Sequence, residues 1–501
     1  MFTSILDKNE VISKDCVKAD YYIDFNLNRI IDKICYFWGD DVSAFYNYFP
    51  NDAESEQYRS DVYKDLSREN VYEAFSSAYS KMCERKRAAV SGQAVNQSLS
   101  RQVWHIKEVG LYSQALSELY ESIKDIPFAY EGMTNWVRDL GEYVTGPKFN
   151  RFSDASVKLK EQLDAVRMTL TYEDGKVAVS SKTVESGCES RLRALYPNNV
   201  LSLQSPFLDT PSLVGLEMNI VNVYVRKNPG LFKEIASFCS ENNEYLEPWI
   251  ERFFEEIPFY LSFMKFERHM RELGAHFTVS TSQKASPFEA KGLYDLALFI
   301  SNNAKGKEVV DNDMYYGEDE RFFVLTGPNQ GGKTTFARSL GQLVFFAKLG
   351  LPVPARSANV PYFSQILSHF SVEESVETGR GKLMEELVRL APMMGIAGED
   401  TFIVINELFT TAANYDACIM GKRVLRHFIG KGCKGIYVTH LSELLDGTDK
   451  ATGLCAQFDE NMVQTFKIER RVMEYTNTAT NQILKYNLTY DGIRERLKLL
   501  R

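Results

Sequence analysis

The chain has 501 residues, of which 44% are hydrophobic and 25% charged, and its formal net charge is −9. That length calls for more than one domain, each with a sizeable core, and the composition is that of a water-soluble globular protein. The acidic balance excludes nucleic-acid binding through overall charge, so any such contact needs a local basic patch. No apolar run approaches the roughly 20 residues that cross a bilayer, so no membrane partner is expected. The first residues, from Met1 to Glu10, lack a basic segment followed by an apolar one. A secretory signal is therefore not expected, and the cytoplasm is the expected location. The eight cysteines form no CxxC pair and no zinc-ligand spacing, which fits free thiols in a reducing compartment.

In chain order, the first half reads as helix. Ile30, Ile31, Ile34, Cys35 and Trp38 share one helical face, as do Leu111, Ala115, Leu116, Leu119, Tyr120 and Ile123. Leu231, Phe232, Ile235 and Phe238 give another stripe. A long aromatic-rich helix follows from about Pro248 to Leu273, with Pro248 in its first turn and a kink at Pro258. One stretch interrupts this body. Met168 to Tyr172 and Val177 to Val179 alternate around Glu173-Asp174-Gly175-Lys176, the pattern of a β-hairpin. Beyond about residue 290 strand-length apolar runs alternate with helices. Phe322 to Leu325, Phe402 to Ile405 and Ile436 to Val438 read as buried strands. The helices between them present Phe336, Leu340, Leu343, Val344 and Ala347, then Ile419, Val424, Leu425 and Phe428. Such alternation predicts a largely parallel α/β sheet. The boundary is placed near Ser286, giving a helical region 1–285 with a small β-hairpin and an α/β domain 286–501.

Gly327-Pro328-Asn329-Gln330-Gly331-Gly332-Lys333-Thr334 matches the phosphate-loop pattern at every fixed position, between a strand and an amphipathic helix. Glycines let backbone N–H groups curl round phosphates, and the helix N-terminus adds partial positive charge. Lys333 is suited to the outer phosphates of ATP and the Thr334 hydroxyl to Mg²⁺. Asn406-Glu407 ends the second strand, where phosphate-loop enzymes place a metal-binding group and a water-activating carboxylate. Thr439-His440 ends the third, where a polar side chain can meet the terminal phosphate.

These pieces resemble the MutS-type ATPase domain. The resemblance rests on the run from Thr326 through Lys333 and Thr334 to Thr335, the segment from Gly379 to Leu387, Ile405-Asn406-Glu407, Asn414-Tyr415-Asp416 and the segment from Thr439 to Leu444. Val310-Asp311-Asn312-Asp313 is similar to the family's strand beside the adenine. Residues 290 to 470 carry the likeness, and the helical body before them resembles, more weakly, the core and lever region of MutS relatives. The likeness implies an ABC-type, P-loop ATPase working as a homodimer. Each ATP is then held by one subunit's loop and, across the interface, by the partner's helix opening at Gly379, Gly381 and Lys382. It implies that Glu407 orients or activates water and that His440 contacts the γ-phosphate.

Three departures from the family pattern stand out. Asn406 replaces the usual Asp before the catalytic Glu, which implies weaker Mg²⁺ binding and slow turnover. Gly381-Lys382 stand where Ser-Thr is usual, so a cation replaces a hydroxyl donor. Few residues precede the first helical stretch, so no mismatch-reading N-terminal domain is expected. Phe253-Phe254-Glu255 is read as packing and solvent faces. For DNA, the candidates are Lys81, Arg85, Lys86 and Arg87 with Arg101, Trp104, His105 and Lys107, and the hairpin with Arg167, Lys176 and Lys182. Basic residues beside an aromatic could bind phosphate and stack on bases, but the plainer readings, an ordinary solvated helix face and a structural hairpin, are preferred. Arg470-Arg471 and the run Arg494 to Arg501 fit a dimer-stabilising end. The expected function is ATP hydrolysis coupled to structure-selective DNA binding. The alternative is an ATP-gated module with little hydrolysis that acts on a protein partner.

Overall fold

The computed structural model describes residues 3–9, 21–166, 169–173, 176–180, 216–280, 287–370, 381–459, 463–471 and 489–499. It forms two compact units, one built on Ser67–Glu255 and the other on Thr3–Leu66 together with Glu256–Arg501.

The first unit is mainly helical. Its longest elements, Glu69–Ala94 and Ser98–Ile123, pack side by side. Ala115, Leu116, Leu119 and Ile123 lie on the buried face, as the spacing requires. Glu131–Val144, Pro147–Asp164, Leu216–Lys227 and Pro229–Glu241 complete it. The centre is aromatic: the Trp136 and Phe253 rings stack 3.8 Å apart, and Phe75 leans on both. Phe253 and Phe254 are buried, so the Phe-Phe-Glu string is packing, as read. The hairpin strands β1 (Thr169–Glu173) and β2 (Lys176–Ser180) pair antiparallel, from Thr169 with Ser180 to Glu173 with Lys176. Its Asp174-Gly175 turn, Arg167 and Lys182 lie outside the described residues. The long aromatic segment is two helices, Pro248–Glu256 and Pro258–Glu272, interrupted at the expected proline.

The second unit carries two sheets. β3 (Glu289–Leu293), β4 (Asn312–Tyr315) and β6 (Ser357–Asn359) form a small antiparallel sheet in the order β4-β3-β6. The main sheet uses β5 (Phe322–Thr326), β7 (Gln365–Phe370), β8 (Thr401–Asn406), β9 (Lys434–Val438), β10 (Ala451–Phe458) and β11 (Gln464–Glu469). Its order is β11-β10-β5-β9-β8-β7, parallel except for β11 at one edge. β5 and β8 are buried along their whole length, which is why they read as unbroken apolar runs. One face is filled by Phe322, Ile403, Ile405 and Tyr437 against Leu425 and Phe428 of the helix Asn414–Gly430.

The helix Lys333–Lys348 shows why the boundary at 286 does not describe the packing. Its spacing predicts one apolar face, yet the structure buries it nearly all round. Thr3–Leu66 supplies the cover. Phe25 packs so closely on Gly341 that a Cβ there would sit 2.6 Å from the ring. Gln342 Nε2 donates to Phe25 O at 2.9 Å, Arg338 Nε to Asp24 O at 2.9 Å, and Ser368 Oγ to Asp24 Oδ2 at 2.6 Å. Thr3–Leu66 thus belongs with the sheet.

Phe25→Ala is expected to destabilise this unit by about 3–5 kcal/mol, read from denaturant unfolding. Gly341→Ala tests the same contact with the opposite prior. Helix propensity alone favours alanine by about 1 kcal/mol. The clash with a rigid ring costs about 1–3 kcal/mol, so a net loss of stability is expected.

Candidate functional site

β5 lies inside the sheet and ends at Thr326, and the chain must turn sharply there to start the helix at Lys333. The turn uses left-handed backbone at Gly327 (φ 136), Gln330 (φ 65) and Gly332 (φ 87). At Gly327 a side chain is also blocked in space, since a Cβ would sit 2.9 Å from Ala456 Cβ. The first helical bond runs from Phe336 N–H to Gly332 O. The N–H groups of Lys333, Thr334 and Thr335 therefore have no carbonyl within the helix, the usual state of a helix start. Lys333 is buried, and its Nζ donates to Gly327 O at 2.7 Å and Pro328 O at 3.0 Å. Burial lowers its pKa and the Glu407 carboxylate works against that lowering.

The ends of the neighbouring strands converge on this loop. Thr334 Oγ1 donates to Asn406 Oδ1 at 3.1 Å, so the helix start is tied to the tip of β8. Glu407, the next residue, has left-handed backbone (φ 55), and its N–H donates to Val438 O at 2.9 Å. Thr439 N–H in turn donates to Leu325 O at 3.0 Å. With the β8 and β9 tips locked, His440 Nε2 lies 3.2 Å from Glu407 Oε1. The hydrogen bond with His440 is the largest influence on the Glu407 carboxyl and holds its pKa below the usual carboxylate range. Burial opposes this, and the charges of His440, Lys333 and Lys382 add to the lowering.

A cavity of about 410 Å³ opens over the loop, and residues 329–335, Val310 and Glu407 line it. This brings together most of the residues singled out from sequence. Gly327 and Pro328 act from behind, through their carbonyls on Lys333. Phe466 on β11 and Asn312 on β4 also line the cavity; Asn312 lies in the segment likened to the strand beside the adenine, whereas Phe466 has no local sequence signal. Phe466 has φ 58 and stands beside Gly332, where a Cβ would lie 3.4 Å from the ring. Asn312 holds it there: its Nδ2 donates to Phe466 O at 3.2 Å and its Oδ1 accepts from Ile468 N–H at 2.8 Å.

The family model described as MutS domain V matches residues 323–483. Over these residues the chain is similar to MutS domain V. The chain is 30% identical over 138 residues, 28% of its length, to the DNA mismatch repair protein MutS of Thermotoga neapolitana, covering 17% of that protein. It is 28% identical over 165 residues to MutS of a Thermotoga species, covering 32% of this chain and 21% of that protein. To MutS of Dinoroseobacter shibae it is 27% identical over 191 residues, 36% of this chain and 22% of that protein. The chain thus spans about a fifth of the length of these curated relatives.

In this matched region, the helix Lys382–Ile396 opens from Gly381, whose carbonyl accepts from the Met384 and Glu385 N–H groups. Gly379 and Arg380 lie outside the described residues. Lys382 lies near enough to Glu407 of its own chain to help keep that carboxyl ionised. Among the described residues no group of three His, Cys, Asp or Glu side chains could hold a metal ion, and no helix is long and apolar enough to cross a membrane.

In the other unit, the basic cluster Lys81 to Arg87 is not a single exposed patch. Lys81 pairs with Glu118, and Arg85 is buried with Glu108 at 3.6 Å and Glu251 at 4.0 Å. Lys86 and Arg87 face solvent. Arg101 Nε donates to Val95 O at 2.6 Å, His105 Nε2 lies 3.1 Å from Asn242 O, and Lys107 sits over the Trp104 ring.

His440→Ala is expected to raise the Glu407 pKa, read by NMR titration of carboxyl-labelled glutamate. Removing the hydrogen bond and the charge destabilises the carboxylate and so raises its pKa. The part of stability that comes from this pair in the parent is present at neutral pH and lost as pH falls through the depressed pKa of folded Glu407.

Proposed function

We propose that this chain binds ATP on the loop 327–334 and hydrolyses it slowly, as an ABC-type ATPase that works as a homodimer. The observation that carries the reading is that Lys333, Thr334 and Glu407 line one cavity, with Asn406 bonded to Thr334 and His440 beside Glu407. The loop's curled backbone and the helix start offer N–H groups to phosphate oxygens, and Lys333 adds a full charge. Val310 and Phe466, on the cavity wall, fit the base end of a nucleotide. Mg²⁺ would be held through Thr334 and Asn406 and would supply charge neutralisation on the phosphates. The two side chains fit that role, because their oxygens already face each other at 3.1 Å. Asn406 offers one neutral oxygen where a carboxylate would offer charge, so weak metal binding and slow turnover go together.

In the hydrolytic step Glu407 orients the attacking water and accepts its proton. His440 holds Glu407 in place and supports its ionised form. In the dimer, the helix starting at Gly381-Lys382 faces the partner's nucleotide. Lys382 acts there as a cation in place of a hydroxyl donor. The relatives are named DNA mismatch repair proteins. For this chain we take the coupled partner to be DNA, bound by structure rather than by single mismatches and in a cytoplasmic setting. Lys86 and Arg87 are the exposed cations of the cluster available for it. The second reading, an ATP-gated module with little hydrolysis acting on a protein, is favoured by the neutral Asn406 and by the internal use of Lys81 and Arg85.

Steady-state phosphate release decides between the two. Glu407→Gln is expected to retain ATP while turnover falls by about 10²-fold or more, the loss typical of a removed general base. Parental turnover in that variant would show that Glu407 is not the base. Lys382→Ala is expected to lower turnover as well. Repeating the assay with duplex and branched DNA over a salt series tests the partner. Phosphate contacts make affinity fall steeply with salt, and unchanged turnover with no binding at low salt would favour the protein partner.

A further inference from the structure

The helix Lys382–Ile396 carries a fully buried acid, Glu386, that no part of the nucleotide cavity uses. Its Oε2 accepts the main-chain N–H of Phe409 at 2.9 Å, and its Oε1 has no hydrogen-bond partner among the described residues. Glu386 makes no ion pair in that set. Arg389, on the same helix, is engaged with Phe370 O at 3.3 Å. His369, buried on β7, offers no counter-charge, because burial and the Arg389 charge push its pKa down to about 4. Burial raises the Glu386 pKa, and the Phe409 N–H and the Lys382 charge offset that only in part; a buried acid of this kind is costly and is normally retained only where its hydrogen bonds matter.

What Glu386 holds is the turn that aims Glu407. Glu407 and Phe409 both have left-handed backbone, φ 55 and φ 64. Residues with side chains adopt that region at a cost, and two such residues so close together persist only when their surroundings over-determine them. Two hydrogen bonds do so here. Glu407 N–H is fixed to Val438 O on the sheet side. Phe409 N–H is fixed to Glu386 on the helix side. Leu408 and Phe409 are themselves buried and complete the clamp.

We propose that Glu386 is a positioning residue for hydrolysis. It fixes the backbone just beyond Glu407, so the helix that begins at Lys382 sets the direction of the Glu407 carboxylate. Lys382 and Glu386 stand one helical turn apart, on the same side of the helix. A contact made at the Lys382 end is therefore transmitted to Glu407 through one side chain. This rests on the ATPase reading above.

The test compares Glu386→Gln, which keeps an acceptor oxygen, with Glu386→Met, which keeps length and volume but accepts nothing. Both are made in the full chain. Affinity is read with a fluorescent ATP analogue and turnover by phosphate release. The glutamine variant is expected to stay within about threefold of the parent, and the methionine variant to lose about tenfold to a hundredfold in kcat, as misplacement of a reacting group does. Analogue affinity is expected to change less than about twofold in both. Glu386→Ala is read in the same way as the methionine variant if the latter does not fold. The proposal is overturned if the variant lacking an acceptor turns over at the parental rate. It is overturned equally if glutamine and methionine fall alike, or if affinity falls with rate, the mark of a merely structural role. In each of those results an active parent leaves the ATPase reading standing, whereas a parent that binds the analogue and releases no phosphate removes both.

Discussion

Lys333 is buried, and its ammonium is shared between two carbonyls of the loop that precedes it. A buried cation is tolerated only with good acceptors around it, so the loop must curl until Gly327 O and Pro328 O face inward. The curl forces the left-handed backbone at Gly327 and Gly332. It also puts the first N–H groups of the next helix on the outer rim. Every other part of the site is arranged around this charge. β8 delivers Asn406 to Thr334, β9 delivers His440 to Glu407, and β11 delivers Phe466 to the far wall.

Strand order explains why these groups meet. β9 lies between β5 and β8, and all three run parallel. Their C-terminal ends therefore lie along one edge, where open α/β sheets bind ligands. Main-chain bonds from Glu407 to Val438 and from Thr439 to Leu325 stitch the three tips together. The outer helices then tune the edge. Lys382–Ile396 reaches it through Glu386, and Lys333–Lys348 is held from behind by Phe25.

The site was legible where chemistry and local pattern coincide. The phosphate loop carries its own spacing, and β5, β8 and β9 announce themselves as short apolar runs ending in polar groups. The hairpin strands and the break at Pro258 followed from turn and proline chemistry. What was hidden depends on distant partners. Gln342 bonds to Phe25 across 317 residues of chain, so nothing near either residue assigns Thr3–Leu66 to the sheet unit. Arg85 looks solvated within a basic run until Glu108 and Glu251 close over it. Glu386 looks like any surface acid in Lys-Leu-Met-Glu-Glu-Leu, yet it is fully buried. Phe466 sits on an edge strand, and the amide of Asn312, distant in sequence, holds its place beside Gly332.

The central claim is that a buried ammonium and the curled loop around it grip a triphosphate. Equilibrium binding of a fluorescent ATP analogue to the parent and to Lys333→Ala tests it most directly. The account predicts saturable binding by the parent and at least about tenfold weaker binding by the variant, since a charge-assisted phosphate contact is worth about 1.5–3 kcal/mol. Equal affinity in the two proteins, or no binding by the parent, would contradict it.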